Sequence, residues 1–221
     1  MMAIAAGVNL AEHWDKVYRT KALEAMSWHA AHLETSLEWM ERAAPEKAAA
    51  ILDAGGGVAT LAADLLAKGY RDVTVLDVAP AAIERARAEV QSRMGASADG
   101  VRWVVGDVTL VELPTAGYDV WHDRAVFHFL TKPEERAAYV QQVRRALKPG
   151  GQAVVATFGL KGPERCSGLE TCRYDAAGLA REFGAGFAVV RSAVVEHRTP
   201  WGTVQPFLYC QMERTPGAVR L

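Results

Sequence analysis

Two rhythms of hydrophobic and polar positions alternate along this chain. Short apolar runs rich in Val, Ile, Leu and Ala recur at residues 49–53, 73–78, 101–105, 118–121 and 153–158, and each reads as a buried strand. Between them the apolar positions fall at helical spacing. This predicts helices at 58–68, closed by Gly69, at 81–94 after Pro80, and at 133–147. Strands separated by helices imply parallel βαβ units and a doubly wound sheet. The rhythm changes after a short helix at 176–183, which Asp175 is placed to cap. Runs at 188–195 and 204–212 are joined only by a loop, so they predict an antiparallel hairpin, with Pro206 at the start of its strand or at a bulge. Ahead of all this, residues 10–44 read as helical, in two segments joined around Ser27 and Trp28, until Pro45 breaks the pattern.

Composition adds limits. The chain has 221 residues, half of them hydrophobic, and a net charge of −1. That suits one domain with a sizeable core and offers no basic surplus for nucleic acid or an anionic membrane. No run approaches the roughly 20 apolar residues of a membrane span, and the first ten residues lack the positive flank of a signal peptide. Three cysteines without a C-x-x-C pair suggest neither a disulfide framework nor zinc, so a cytoplasmic protein is expected.

The chemistry concentrates where the strand runs end. The first continues as Asp53-Ala54-Gly55-Gly56-Gly57, a tight turn whose bare backbone admits a close ligand. A dinucleotide fingerprint would place its third glycine at Thr60, so the G-x-G-x-x-G pattern is not met. Asp77 closes the second run, where a carboxylate can accept both hydroxyls of a ribose. Asp107 and Val108 follow the third, and Pro149-Gly150-Gly151 precedes the fifth. The ordinary reading of each acid alone is a helix cap.

Together these motifs resemble the class I S-adenosylmethionine-dependent methyltransferases, over about residues 49–212. The resemblance implies an α/β fold: a doubly wound, mostly parallel, seven-stranded sheet with a C-terminal antiparallel hairpin and an N-terminal helical lid. The single domain would comprise a lid over 1–45 and a Rossmann-like core over 46–221. The implied cofactor is S-adenosylmethionine, held by Asp53, Gly55, Gly57, Asp77, Val78, Asp107 and Val108. Tyr18 and Trp28, in a leading segment similar to that of small-molecule and thiol methyltransferases, would close over it, with Trp14 beside them. The stretch Trp121-His122-Asp123-Arg124 departs from the N-P-P-Y-like motif of amino methyltransferases, and no metal set is apparent.

The expected acceptor is therefore a small molecule, preferentially a thiol or other soft chalcogen nucleophile. Asp123 and His128 are the candidate catalytic residues, with His122 as an alternative base; a capping acid and a packed histidine are the plainer alternative. The loop at Cys166 and Cys172 and the turn 197–202, with Gln205 and Phe207, are further candidates for the pocket wall. A protein lysine or N-terminal amine methyltransferase predicts an open acidic or peptide-wide groove instead, and a non-catalytic binding module predicts cofactor binding without turnover. A monomer or homodimer is expected.

Overall fold

The computed structural model describes residues 9–58 and 60–215. The leader reading of the first ten residues thus falls largely outside the described residues, as does Ala59 of the glycine turn.

Seven strands form one sheet. They are β1 (Ala50–Ala54), β2 (Asp72–Asp77), β3 (Val101–Val105), β4 (Tyr118–Arg124), β5 (Leu147–Phe158), β8 (Phe187–Arg198) and β9 (Val204–Arg214), in the order β3-β2-β1-β4-β5-β9-β8. The first five are parallel, and β9 and β8 close the sheet antiparallel. A separate ribbon of β6 (Arg165–Cys166) and β7 (Leu169–Glu170), not anticipated from the sequence, lies in the loop after β5.

Burial explains why the strands were readable. Every residue of β1 is buried, as a central strand covered on both faces requires. Its side chains divide by parity. Ile51 packs in one core with helices α2 (Glu34–Ala43), α3 (Leu61–Ala67) and α4 (Pro80–Met94). Leu52 joins α5 (Pro133–Ala146) and α6 (Ala176–Phe183) on the other face. Asp175 caps α6 by accepting from the Gly178 N–H at 2.7 Å. Pro206 is the third residue of β9, near its start, and the bulge falls elsewhere, between Val189 and Arg191.

The N-terminal reading needs correction. Helix α1 (Leu10–Thr20) is capped by Asn9, but residues 26–33 are largely irregular. Their carbonyls are taken by distant side chains rather than by a following helical turn. His197 Nε2 donates to the Ser27 carbonyl (2.7 Å), Arg124 to that of Trp28 (3.1 Å), and Thr60 Oγ1 to that of Ala31 (2.7 Å). Helix α2 is not part of a cover either, since Trp39 and Met40 are core residues. The expected helix at 58–68 begins only at Leu61, because Val58 belongs to the glycine turn.

Candidate active site

The strand order reverses between β1 and β4, and a cleft opens there at the carboxyl ends, where open α/β sheets bind ligands. Gly55 and Gly57 sit at φ +65° and +51°, which favours glycine. A Cβ on Gly55 would lie 2.0 Å from Val126 Cγ2, and one on Gly57 would lie 2.7 Å from the Tyr18 hydroxyl. Gly56, which the sequence reading passed over, is equally constrained, since its Cβ would meet Asp53 Oδ2 at 2.7 Å. The turn is thus pressed between the chain after β4 and the roof.

That roof is α1 and the irregular segment after it. Asp15 Oδ1 accepts from the Ala81 N–H at 2.9 Å, and Arg85 donates to the carbonyls of Tyr18 (2.7 Å) and Lys21 (3.0 Å). Trp14 stands edge-on to Trp28 and Phe129, with ring centroids 5.5 and 5.1 Å apart.

Most of the expected nucleoside-binding residues line one cavity: Asp53, Gly55, Asp77, Val78, Asp107, Val108, Tyr18 and Trp28. Gly57 stands outside its wall, behind Tyr18. Asp77 is buried at the end of β2 and accepts from the Ala79 N–H at 2.9 Å. Burial is the main cause that raises its carboxyl to about 7, against the lowering effect of backbone N–H groups. Asp107 is exposed and also caps its own loop, accepting from the Thr109 N–H (2.8 Å) and hydroxyl (2.7 Å).

Asp53 is committed sideways. Its strand neighbour in register is His122, which donates through Nδ1 to Asp53 Oδ1 at 2.7 Å. His122 Nε2 accepts from Ser36 Oγ at 3.0 Å, and Tyr209 donates to Ser36 at 3.0 Å. Sequence reasoning missed Ser36 and Tyr209 because they meet only across the fold.

The two candidate catalytic residues fare differently. Asp123 does not line the cavity. Its oxygens accept from the Val126 N–H (2.8 Å), the Phe127 N–H (3.0 Å) and the Tyr139 hydroxyl (2.6 Å), pinning a turn that passes through Ala125 at φ +80°. It is a cap, which corrects its expected catalytic role. His128 does line the cavity, stacked on Phe158 at 4.4 Å. Its Nδ1 accepts from the Phe158 N–H at 3.1 Å, so the neutral ring carries its proton on Nε2, and Nε2 has no partner. Burial, aided by the Arg124 charge, lowers its pKa to about 3. In this tautomer Nδ1 is occupied and Nε2 is a donor, so the ring has no free base nitrogen, which argues against its reading as a base.

The remaining wall is formed by His29, Arg124, Phe158, Cys166, Gln205 and Phe207. Cys172 and the turn around Trp201 are absent from it. Among the described residues no cluster of His, Cys, Asp and Glu could hold a metal ion, and no helix is long and apolar enough to cross a membrane.

Comparison with known proteins agrees with this geometry. Residues 51–151 match the family of the methyltransferase domain. The ubiquinone/menaquinone biosynthesis C-methyltransferase of Roseobacter denitrificans is 28% identical over 126 residues, covering 57% of this chain and 47% of that protein. The structure solved for the conversion of a disulfide bond into a thioacetal group during echinomycin biosynthesis superposes with a TM-score of 0.76 at 21% identity, covering 96% of this chain and 95% of that one. The Burkholderia thailandensis 1,6-didemethyltoxoflavin-N1-methyltransferase, solved with its substrate and S-adenosylhomocysteine, gives a TM-score of 0.72 at 21% identity, covering 98% and 94%. The chain spans less than half the length of the first curated relatives it matches, which include a lysine and N-terminal methyltransferase homolog of Drosophila melanogaster.

The residues present fit the S-adenosylmethionine that the sequence motifs lead one to expect. The glycine turn has no room for a Cβ, and a buried carboxylate with few donors of its own faces the same cavity.

Proposed function

We propose that this chain, whose residues 51–151 are a methyltransferase domain and whose fold is that of the class I S-adenosylmethionine-dependent methyltransferases, methylates a small-molecule acceptor. When bound, S-adenosylmethionine supplies a methyl group already activated on a sulfonium. The protein's task is then to hold a nucleophile in line and to keep water out, and orientation of that kind supplies about 7–11 kcal/mol of a barrier. The glycine turn gives the backbone close approach, and Asp77 accepts the ribose hydroxyls. Asp107 and Val108 receive the adenine. Tyr18, Trp14 and Trp28 form the roof over the methionine end.

The observation that carries the acceptor class is the state of the expected bases. His122 is closed within its chain of hydrogen bonds, Asp123 is a cap, and His128 is a donor. An acceptor that ionises readily, such as a thiol, needs no help from them. Where a weaker acid is the acceptor, His29 is the proton acceptor, since its ring lines the wall with no side-chain hydrogen bond among the described residues. A lysine ammonium is disfavoured by an acceptor end that carries Arg124 among Phe129, Phe158 and Phe207, the lining acid Asp53 being paired with His122 and Glu135 with Lys132. The test is release of S-adenosylhomocysteine by purified protein against thiols, phenols, amines and a lysine peptide. Turnover of thiols above the others supports the reading. Turnover of the peptide alone overturns it, and cofactor binding without turnover of any class would indicate a sensor.

A further inference from the structure

The acceptor end of the cavity holds polar groups that nothing in the protein satisfies. His128 Nε2–H is fully buried and has no partner. Gln205 is 8% exposed, and its Oε1 is likewise buried without a partner. Both residues line the cavity. A buried polar group left unpaired is costly, so two on residues that line one cavity point to a ligand whose binding turns these side chains to it and pairs them.

Arg124 lies on the same wall. Its guanidinium sits 4.7 Å from the centre of the Phe207 ring and donates to the Trp28 carbonyl, and no carboxylate lies within 4.0 Å of it among the described residues. It is close enough to His128 to lower that ring's pKa. The carboxylates that line the cavity are committed or at the other end: Asp53 to His122, Glu135 to Lys132, and Asp77 and Asp107 at the nucleoside end. A guanidinium with no salt bridge among the described residues, a buried N–H donor and an amide that turns its N–H₂ inward in place of Oε1 form a cradle for an anion. The groups around that cradle, Trp28, Phe129, Phe158 and Phe207, are aromatic.

We infer that the acceptor is an aromatic or similarly apolar acid whose carboxylate is held by Arg124, His128 Nε2–H and Gln205. The inference rests on the methyltransferase reading only for the identity of the bound molecule as acceptor. The cradle itself stands without it.

Calorimetric titration of S-adenosylhomocysteine-saturated protein with benzoate, 2-naphthoate and biphenyl-4-carboxylate, each against its primary amide, tests it. Each acid that fits should bind about tenfold or more tightly than its amide, the factor expected of one charge-assisted hydrogen-bonded pair. Arg124→Gln should bring acid and amide to parity, and Arg124→Lys should restore part of the preference. Equal binding of acid and amide, no binding of any acid, or a preference that survives Arg124→Gln overturns the cradle. Binding of 4-nitrothiophenolate that depends on Arg124 while benzoate does not would assign the cation to the nucleophile and overturn it too. Failure of S-adenosylhomocysteine itself to bind would overturn the proposed function instead, and the acids titrated against the free protein would still decide the cradle.

Discussion

Replacing Asp77 by Asn should make the unliganded protein more stable while removing its cofactor. Burial lifts this carboxyl from its ordinary 3.8 to about 7. At about 1.4 kcal/mol per pH unit, keeping it ionised in the fold costs about 4 kcal/mol above neutral pH. Asn removes the charge, keeps an oxygen for the Ala79 N–H, and loses an acceptor for the backbone around Gly57 and Val78, at a cost of about 1 kcal/mol. The net expectation at pH 8 is a gain of about 2–3 kcal/mol, or roughly 4–12 °C in melting temperature for a chain of this size.

The pH dependence follows in sign. Below pH 4 the carboxyl is protonated in both folded and unfolded chains and costs nothing. Between about 4 and 7 the unfolded chain ionises first, so the wild type loses stability relative to Asp77→Asn as pH rises, and the difference levels off above about 7. Denaturant unfolding of both proteins from pH 4 to 8.5, with calorimetry of S-adenosylmethionine binding at each pH, measures both arms. Wild-type affinity should rise through pH 7 as the acceptor ionises, and the variant should bind at least about a hundredfold more weakly. A variant less stable than wild type at pH 8, or one that binds normally, would refute the reasoning.

Other substitutions test the remaining assignments. Gly57→Ala drives a methyl against the Tyr18 hydroxyl at a left-handed position, so cofactor affinity should fall by about tenfold or more with about 1–2 kcal/mol of lost stability, read by calorimetry and urea unfolding. Asp123→Ala orphans two backbone N–H groups and the Tyr139 hydroxyl and should cost about 3–5 kcal/mol in unfolding experiments. His128→Gln should leave the pH profile of thiol turnover unchanged if no base acts there. It should also flatten the acid limb, because the wild type loses stability as pH falls from about 6.5 toward 3, where the unfolded chain protonates this ring and the folded one does not. His29→Ala should slow phenol methylation by about a hundredfold and thiol methylation by far less, as comparative kcat measurements would show.

The legible part of this molecule is the part dictated locally. β1 declares itself because a strand buried on both faces must be apolar throughout, and the turn after it because its left-handed φ values call for glycine. Asp77 and Asp107 were found by their place at strand ends. What stayed hidden was decided by partners far away in sequence. The join expected around Ser27 and Trp28 runs on to residue 33, because Arg124, Thr60 and His197 claim carbonyls along it. His128 looks like a base until the Phe158 N–H fixes its tautomer. Gln205 was named as a wall residue, but that its Oε1 lacks a partner is a property of the packed fold alone.

With His122 Nδ1 donating to Asp53 and Nε2 accepting, the hydrogen bonds from Tyr209 through Ser36 and His122 to Asp53 run in one direction. Tolerance to substitution should therefore be graded along them. Tyr209→Phe removes a terminal donor and leaves Ser36 merely with an unused lone pair. Ser36→Ala strands both the phenol and the imidazole nitrogen, and a change at His122 leaves the Asp53 carboxyl without its partner in the interior beneath the glycine turn. The far edge of the sheet can drift, while the step next to the cofactor cannot.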